Sequence, residues 1–180
     1  KNLGAIGDAG ALVTDDPEVA DLARKLREHG SADRKIHTEV GFNSRLDSIQ
    51  AAALSVFLPQ LDAWTKSRRQ AADAYGNSSL AGLVGLPVET AQAQCCHHLY
   101  VISSDRRDEI LMALSAAEIE SRVYYSPAIP FQPAMKAFAP DHQLPGATAY
   151  ENSALALPMG ESLSVEDAQR VAAVISSALS

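Results

Sequence analysis

Cysteine is almost missing from this chain: Cys95 and Cys96 are the only two in 180 residues. Adjacent cysteines rarely bridge each other, because a disulfide needs a wider Cα separation. The chain is therefore no disulfide scaffold, and two thiols kept reduced in the cytoplasm is the expected state. His97 and His98 follow directly, but finger-like spacing to a second ligand pair is lacking, so no metal site is expected. No apolar run approaches the ~18 residues of a membrane span, so no membrane partner is expected. A basic footprint is also missing. The chain carries 15 Lys and Arg against 22 Asp and Glu, a net charge of −7, with the signs dispersed. That excludes the clustered positive face of a nucleic-acid binder. No secretory signal pattern is visible. Nor is there an initiator methionine: the first residue is Lys1, which predicts a piece of a longer protein.

What is present reads as a globular α/β chain, with 47% apolar and 21% charged residues. Gly4, Gly7 and Gly10 precede Ala11-Leu12-Val13-Thr14, a glycine-rich turn feeding a short strand. Asp15-Asp16-Pro17-Glu18 is a helix start, with Asp at the cap and Pro in the first turn. Val19, Leu22, Ala23 and Leu26 share one face of that helix, and Gly30 is its expected left-handed end. Residues 31–43 are polar and irregular. A second helix from Ser44 is expected to turn Leu46, Ile49, Ala53, Val56 and Phe57 towards a core. Pro59 should break it. A third carries Leu61, Trp64, Ala71 and Tyr75 inward, with Lys66, Arg68 and Arg69 outside. Beyond a linker near 80–94, residues 99–102 read as a strand and Asp105 as the cap of a helix bearing Ile110, Leu111 and Leu114. Residues 122–125 read as a second strand. Residues 126–146, with five prolines, read as loop with a helical turn or two, and 146–154 as a short helix. Ser164 should cap a last helix carrying Val165, Ala168, Val171, Ala172, Ile175 and Leu179.

Four stretches, in order, carry a more specific signal. The first is Lys1-Asn2-Leu3-Gly4-Ala5 through Asp8-Ala9-Gly10-Ala11-Leu12-Val13-Thr14. The second is Arg27-Glu28-His29-Gly30 with, after an insert, Gly41-Phe42-Asn43-Ser44-Arg45-Leu46-Asp47 and Gln50-Ala51-Ala52. The third is Pro59, Leu61-Asp62-Ala63-Trp64 and Arg68-Arg69. The fourth is Val123-Tyr124-Tyr125, Gln132-Pro133-Ala134 and Leu157-Pro158-Met159. Together they resemble the DegT/DnrJ/StrS-type sugar aminotransferases over nearly the whole chain. The resemblance implies the C-terminal portion of a fold-type-I transferase dependent on pyridoxal 5′-phosphate (PLP). Residues 1–43 would be the end of the large cofactor domain, 44–90 connecting helices and linker, and 91–180 a small α/β domain.

The resemblance also implies roles. Lys1 would form the Schiff base with PLP and carry the proton between substrate and cofactor; a lysine can attack a carbonyl only when partly neutral. Asn43 would donate to the PLP phosphate of a neighbouring subunit, an amide being a good donor to phosphate oxygen. Arg45 would grip an anionic part of the substrate across the same interface, or else form a structural ion pair, with Asp47 as one candidate. Tyr124 and Tyr125 would lie on the substrate side, although such tyrosines also serve as half-buried strand residues. The implied partners are a nucleotide-linked keto-sugar, an amino-acid donor (glutamate or glutamine) and a second copy of the chain in a homodimer with shared active sites. Tyr124 and Pro130 stand where many relatives carry histidine, which bears on the substrate rather than the cofactor. A sugar dehydratase of the same fold would carry histidine in place of Lys1, so Lys1 favours the transaminase. A non-catalytic regulator or a bare interaction module are the remaining alternatives. By itself this polypeptide is expected to bind PLP weakly and not to turn over.

Overall fold

Asp16 begins the first helix, α1 (Pro17–Arg27), by accepting at Oδ1 from the N–H groups of Glu18 and Val19 at 2.8 and 3.3 Å. Arg24, Lys25 and Arg27 occupy its last turn, where cations suit the helix dipole. Two left-handed residues end it, His29 (φ 62°) followed by the expected Gly30 (φ 82°), and the Gly30 N–H closes back on the Lys25 carbonyl at 2.8 Å. Gly30 is needed there, because a Cβ would lie 1.8 Å from the Glu39 carbonyl oxygen. The computed structural model describes residues 1–180, which form two compact units, residues 3–61 together with Lys1 and residues 62–180 together with Asn2.

In the first unit, three expectations fail. Residues 11–14 form no ladder, and Val13 is 94% exposed; the β-branched pattern was there, but a strand needs a partner and residues 1–61 supply none. The second helix, α2 (Ser48–Phe57), starts after Asp47 rather than at Ser44. Residues 42–44 are instead laid along the end of α1: the Ser44 N–H donates to the Arg27 carbonyl at 3.0 Å and the Phe42 N–H to that of Leu26 at 2.7 Å. Nor does α2 turn its apolar residues into a core. Ile49 and Val56 are exposed, and no hydrophobic residue before Ala71 is buried. Backbone bonding rather than apolar packing therefore shapes this unit. Pro59 breaks the helix as expected, within a single 3-10 turn (Leu58–Gln60) that leads into α3 (Leu61–Gly76).

The second unit holds the core. From α3 it takes Ala71, Ala72 and Tyr75, and with them the guanidinium of Arg68, which had been expected outside. Arg68 is inside because its charge is matched: Nη2 donates to Glu161 at 2.7 Å and Nη1 to the His97 carbonyl at 3.3 Å. Strand β1 (Tyr100–Ser103) pairs antiparallel with β2 (Ala154–Leu157), in the register Tyr100 to Leu157. The expected strand at 122–125 shrinks to one bridge, Arg122 to Ala156. Four consecutive buried residues in β2 fill the place it was meant to take. Helix α4 (Arg107–Ala116) is not capped by Asp105; Ser104 Oγ accepts from the Arg106 N–H at 3.1 Å and closes the turn instead. The expected short helix is α5 (Pro145–Ser153), after 3-10 turns at Ile129–Phe131 and Pro133–Met135.

The last helix, α6 (Val165–Leu179), opens as its sequence predicts. Ser164 Oγ accepts from the Asp167 N–H at 3.0 Å. Helices α4 and α6 pack on one another, and α4 also packs on β2. Leu80, Ile102, Ile110, Leu114, Leu155 and Ile175 are fully buried between them and Tyr75. At about 2 kcal/mol per buried aliphatic side chain, these six outweigh any of the surface ion pairs. No helix is long and apolar enough to cross a membrane.

Candidate active site

Lys1 opens a four-residue turn: the Gly4 N–H donates to the Lys1 carbonyl at 3.1 Å, with Gly4 at φ +77°. The lysine itself is exposed. Its neighbour Asn2 is not. Asn2 Nδ2 donates to the Cys96 carbonyl at 2.8 Å, while Oδ1 is buried with no partner. Further along, Gly7 (φ +109°) lets the backbone pass Gln50, whose Nε2 would touch a Cβ there at 3.4 Å and donates to the Asp8 carbonyl at 3.3 Å. Gln50 Oε1 is a second buried acceptor without a donor. Each is a buried acceptor of its own unit, Asn2 Oδ1 in the second and Gln50 Oε1 in the first.

The second motif is sewn together by the backbone. Phe42 donates its N–H to the Leu26 carbonyl at 2.7 Å, and the Phe42 carbonyl accepts from His29 at 2.9 Å. Glu28 bridges to Asn43, and a Cβ on Gly41 would lie 2.1 Å from the Gly30 nitrogen. The insert 31–40 is thus bypassed, and Asn43 is set against the end of α1. Its Oδ1 accepts from Arg45 Nε at 3.1 Å, and Arg45 Nη1 pairs with Glu28 at 3.1 Å. The ion-pair partner of Arg45 is therefore Glu28, which also holds Arg34 at 3.0 Å, rather than Asp47. With its oxygen held by Arg45, Asn43 keeps its NH2 as the end left to donate. Arg45 also lines, with Arg24 and Arg27, a groove of about 780 Å³ running along residues 8–14.

Tyr124 and Tyr125 lie edge to face, with ring centroids 5.5 Å apart. They lie on a loop rather than on a strand. Tyr125 is exposed, whereas Tyr124 is half-buried and lines a cavity of about 400 Å³ with Leu99, Arg122, Met159 and Leu163. The structure thus joins Asn43 to Arg45 and Tyr124 to Tyr125. Three residues that the sequence reading passed over hold polar contacts of their own: Glu28 with Arg45, Asn2 with Cys96 and Glu89 with His97. Asn2 and Glu28 stood inside quoted motifs, and that was their only signal. Glu89 had none; its carboxylate lies 3.1 Å from His97 Nε2.

Comparison with known proteins identifies the family. A model of the DegT/DnrJ/EryC1/StrS aminotransferase family matches residues 1–176. The chain is 41% identical over 174 residues to a dTDP-3-amino-3,4,6-trideoxy-alpha-D-glucose transaminase of Streptomyces venezuelae, covering 95% of this chain and 46% of that protein. It is 39% identical over 175 residues to a pleiotropic regulatory protein of Geobacillus stearothermophilus, covering 95% and 47%. The crystal structure of DesV from S. venezuelae superposes with a TM-score of 0.92 at 39% identity, over 97% of this chain and 48% of that one. The chain spans about half the length of these relatives. With a match from Lys1 almost to the end of α6, the chain belongs to the DegT/DnrJ/EryC1/StrS aminotransferase family.

Proposed function

We propose that the chain is part of a PLP-dependent transaminase that moves an amino group from glutamate or glutamine to a nucleotide-linked keto-sugar. Its setting would be the cytoplasm. The observation that carries this reading is the assembly of Asn43, Arg45 and Glu28 at the end of α1 within a chain whose family motifs begin at Lys1. The residues present fit the cofactor. The Asn43 oxygen is held by Arg45, so its NH2 is the end left free to meet a phosphate. When bound, PLP supplies an electron sink for the substrate carbon that carries nitrogen.

The chain's own residues do the rest. Lys1 anchors the cofactor and is the base and acid that moves the proton at the reacting carbon. Asn43 donates to the phosphate, and Arg45, already oriented by Glu28, attracts an anionic part of the substrate. Tyr124 and Tyr125 border the sugar. A second copy would complete the site across a homodimer interface; the open apolar face of α2, with Ile49 81% exposed, supports such a contact. The chemistry belongs to a protein of full family length.

In that full-length protein, Lys1→Ala should lower transfer to a keto-sugar nucleotide by about four orders of magnitude, the scale of losing a catalytic proton carrier. Turnover within a few-fold of wild type would overturn the reading. A regulatory role is the second reading, favoured by the name of the Geobacillus relative. It requires that Lys1→Ala leave the biological output intact.

A further inference from the structure

We propose that Glu89, Cys95 and His97 form a zinc-class metal site on the segment leading into β1. The three side chains come from positions 89, 95 and 97, and their ligand atoms all lie within 4.8 Å of one another. His97 Nε2 is 3.1 Å from Glu89 Oε1. In a tetrahedral zinc centre with metal bonds of about 2 Å, nitrogen and oxygen ligands stand roughly 3.3 Å apart, so the imidazole–carboxylate pair already has the spacing of two ligands. The sulfur is held as well: it accepts from the His97 N–H at 3.3 Å, and the Cys95 N–H donates to the same Glu89 oxygen at 3.1 Å.

The backbone behind these atoms is unusually well tied. Arg69 donates to the Cys95 carbonyl at 3.0 Å, Asn2 to that of Cys96 at 2.8 Å and Arg68 to that of His97 at 3.3 Å. His97 takes a left-handed φ of 43°, which costs a histidine energy and turns its ring in beside Tyr100, with centroids 6.0 Å apart. The imidazole is buried while Glu89 and Cys95 are exposed. The cluster thus has a buried imidazole and two exposed ligands, and solvent would supply the fourth.

The donor set selects the ion. One thiolate, one imidazole and one carboxylate suit zinc, whereas calcium and magnesium take oxygen shells. On binding, Cys95 would give its thiol proton to solvent. His97 would coordinate through a deprotonated Nε2, its remaining proton on Nδ1. The metal would then occupy the place of the proton between imidazole and carboxylate. It would close the loop from 89 to 95 and fix the segment on which Asn2 hangs.

The test uses the full-length protein, equilibrated with Zn2+ alone and assayed for bound metal by calorimetry and elemental analysis. The proposal is independent of transaminase activity. Wild type and Cys96→Ser should each hold about one zinc per chain. Cys95→Ser and Glu89→Gln, both at exposed positions that leave the core intact, should each bind at least ~tenfold more weakly. Absence of stoichiometric zinc in the wild type, loss of binding in Cys96→Ser, or a smaller effect in either ligand variant would overturn the site.

Discussion

At Asn43 a single hydrogen bond decides which end of a carboxamide is offered. Arg45 occupies the oxygen at 3.1 Å, and Glu28 in turn holds Arg45, so the donor end remains. A hydrogen bond to a charged group contributes about 1.5–3 kcal/mol. In the full-length protein, Asn43→Ala should therefore weaken PLP binding by about tenfold or more, read from a cofactor absorbance titration. An unchanged affinity would remove Asn43 from the cofactor site. The residue types of this cluster could be read in the sequence, because Asn-x-Arg is a local motif. The acid could not. Glu28 lies 17 positions from Arg45, and only the backbone pairing of 41–44 with the end of α1 brings them together.

The joint between α1 and residues 41–44 is also where one methyl group matters most. A Cβ on Gly41 would lie 2.1 Å from the Gly30 nitrogen and 2.5 Å from the His29 carbonyl carbon, backbone atoms with no rotamer to escape into. Gly41→Ala should thus destabilise by about 3 kcal/mol and loosen Asn43 with it. Urea unfolding of the full-length protein would show the shift in midpoint, and a variant as stable as wild type would mean that residues 28–30 and 41–43 are free to part. Helices with strong local signals (α1 with Asp16, α6 with Ser164) start where their caps predict. Strand β2 was hidden because Ala-Leu-Ala-Leu is buried on both faces, and a short apolar run without alternation reads equally as the end of a helix. Residues 122–125 mimicked a strand through their valine and tyrosines, yet only Arg122 found a partner.

Across the whole molecule, apolar burial is confined to residues 62–180, and at its centre lies Tyr75, fully buried with its hydroxyl donating to the Pro158 carbonyl at 3.0 Å. Burial, helped by Tyr100 and Asp167, raises its hydroxyl well above the ordinary tyrosine range. A raised folded-state value means that the neutral phenol stabilises the fold. That contribution is complete below the unfolded-state value of about 10 and drains away as pH climbs above it. Stability should hold to about pH 9 and fall beyond pH 10, and Tyr75→Phe should flatten that alkaline slope while lowering the plateau. Urea midpoints at pH 8 and pH 11 would check this; equal slopes in the two proteins would assign the alkaline loss elsewhere.

The starts of α1 and α6, the break at Pro59, the ordered motifs and the family they point to were all set by residues within a few positions of one another, so sequence by itself determined them. The inward turn of Arg68, the exposure of α2, the place of β2 and the meeting of Glu89 with His97 were decided only in three dimensions. Each depends on whether a distant residue arrives to match a charge, cover an apolar face or complete a ladder, and no local pattern encodes that arrival.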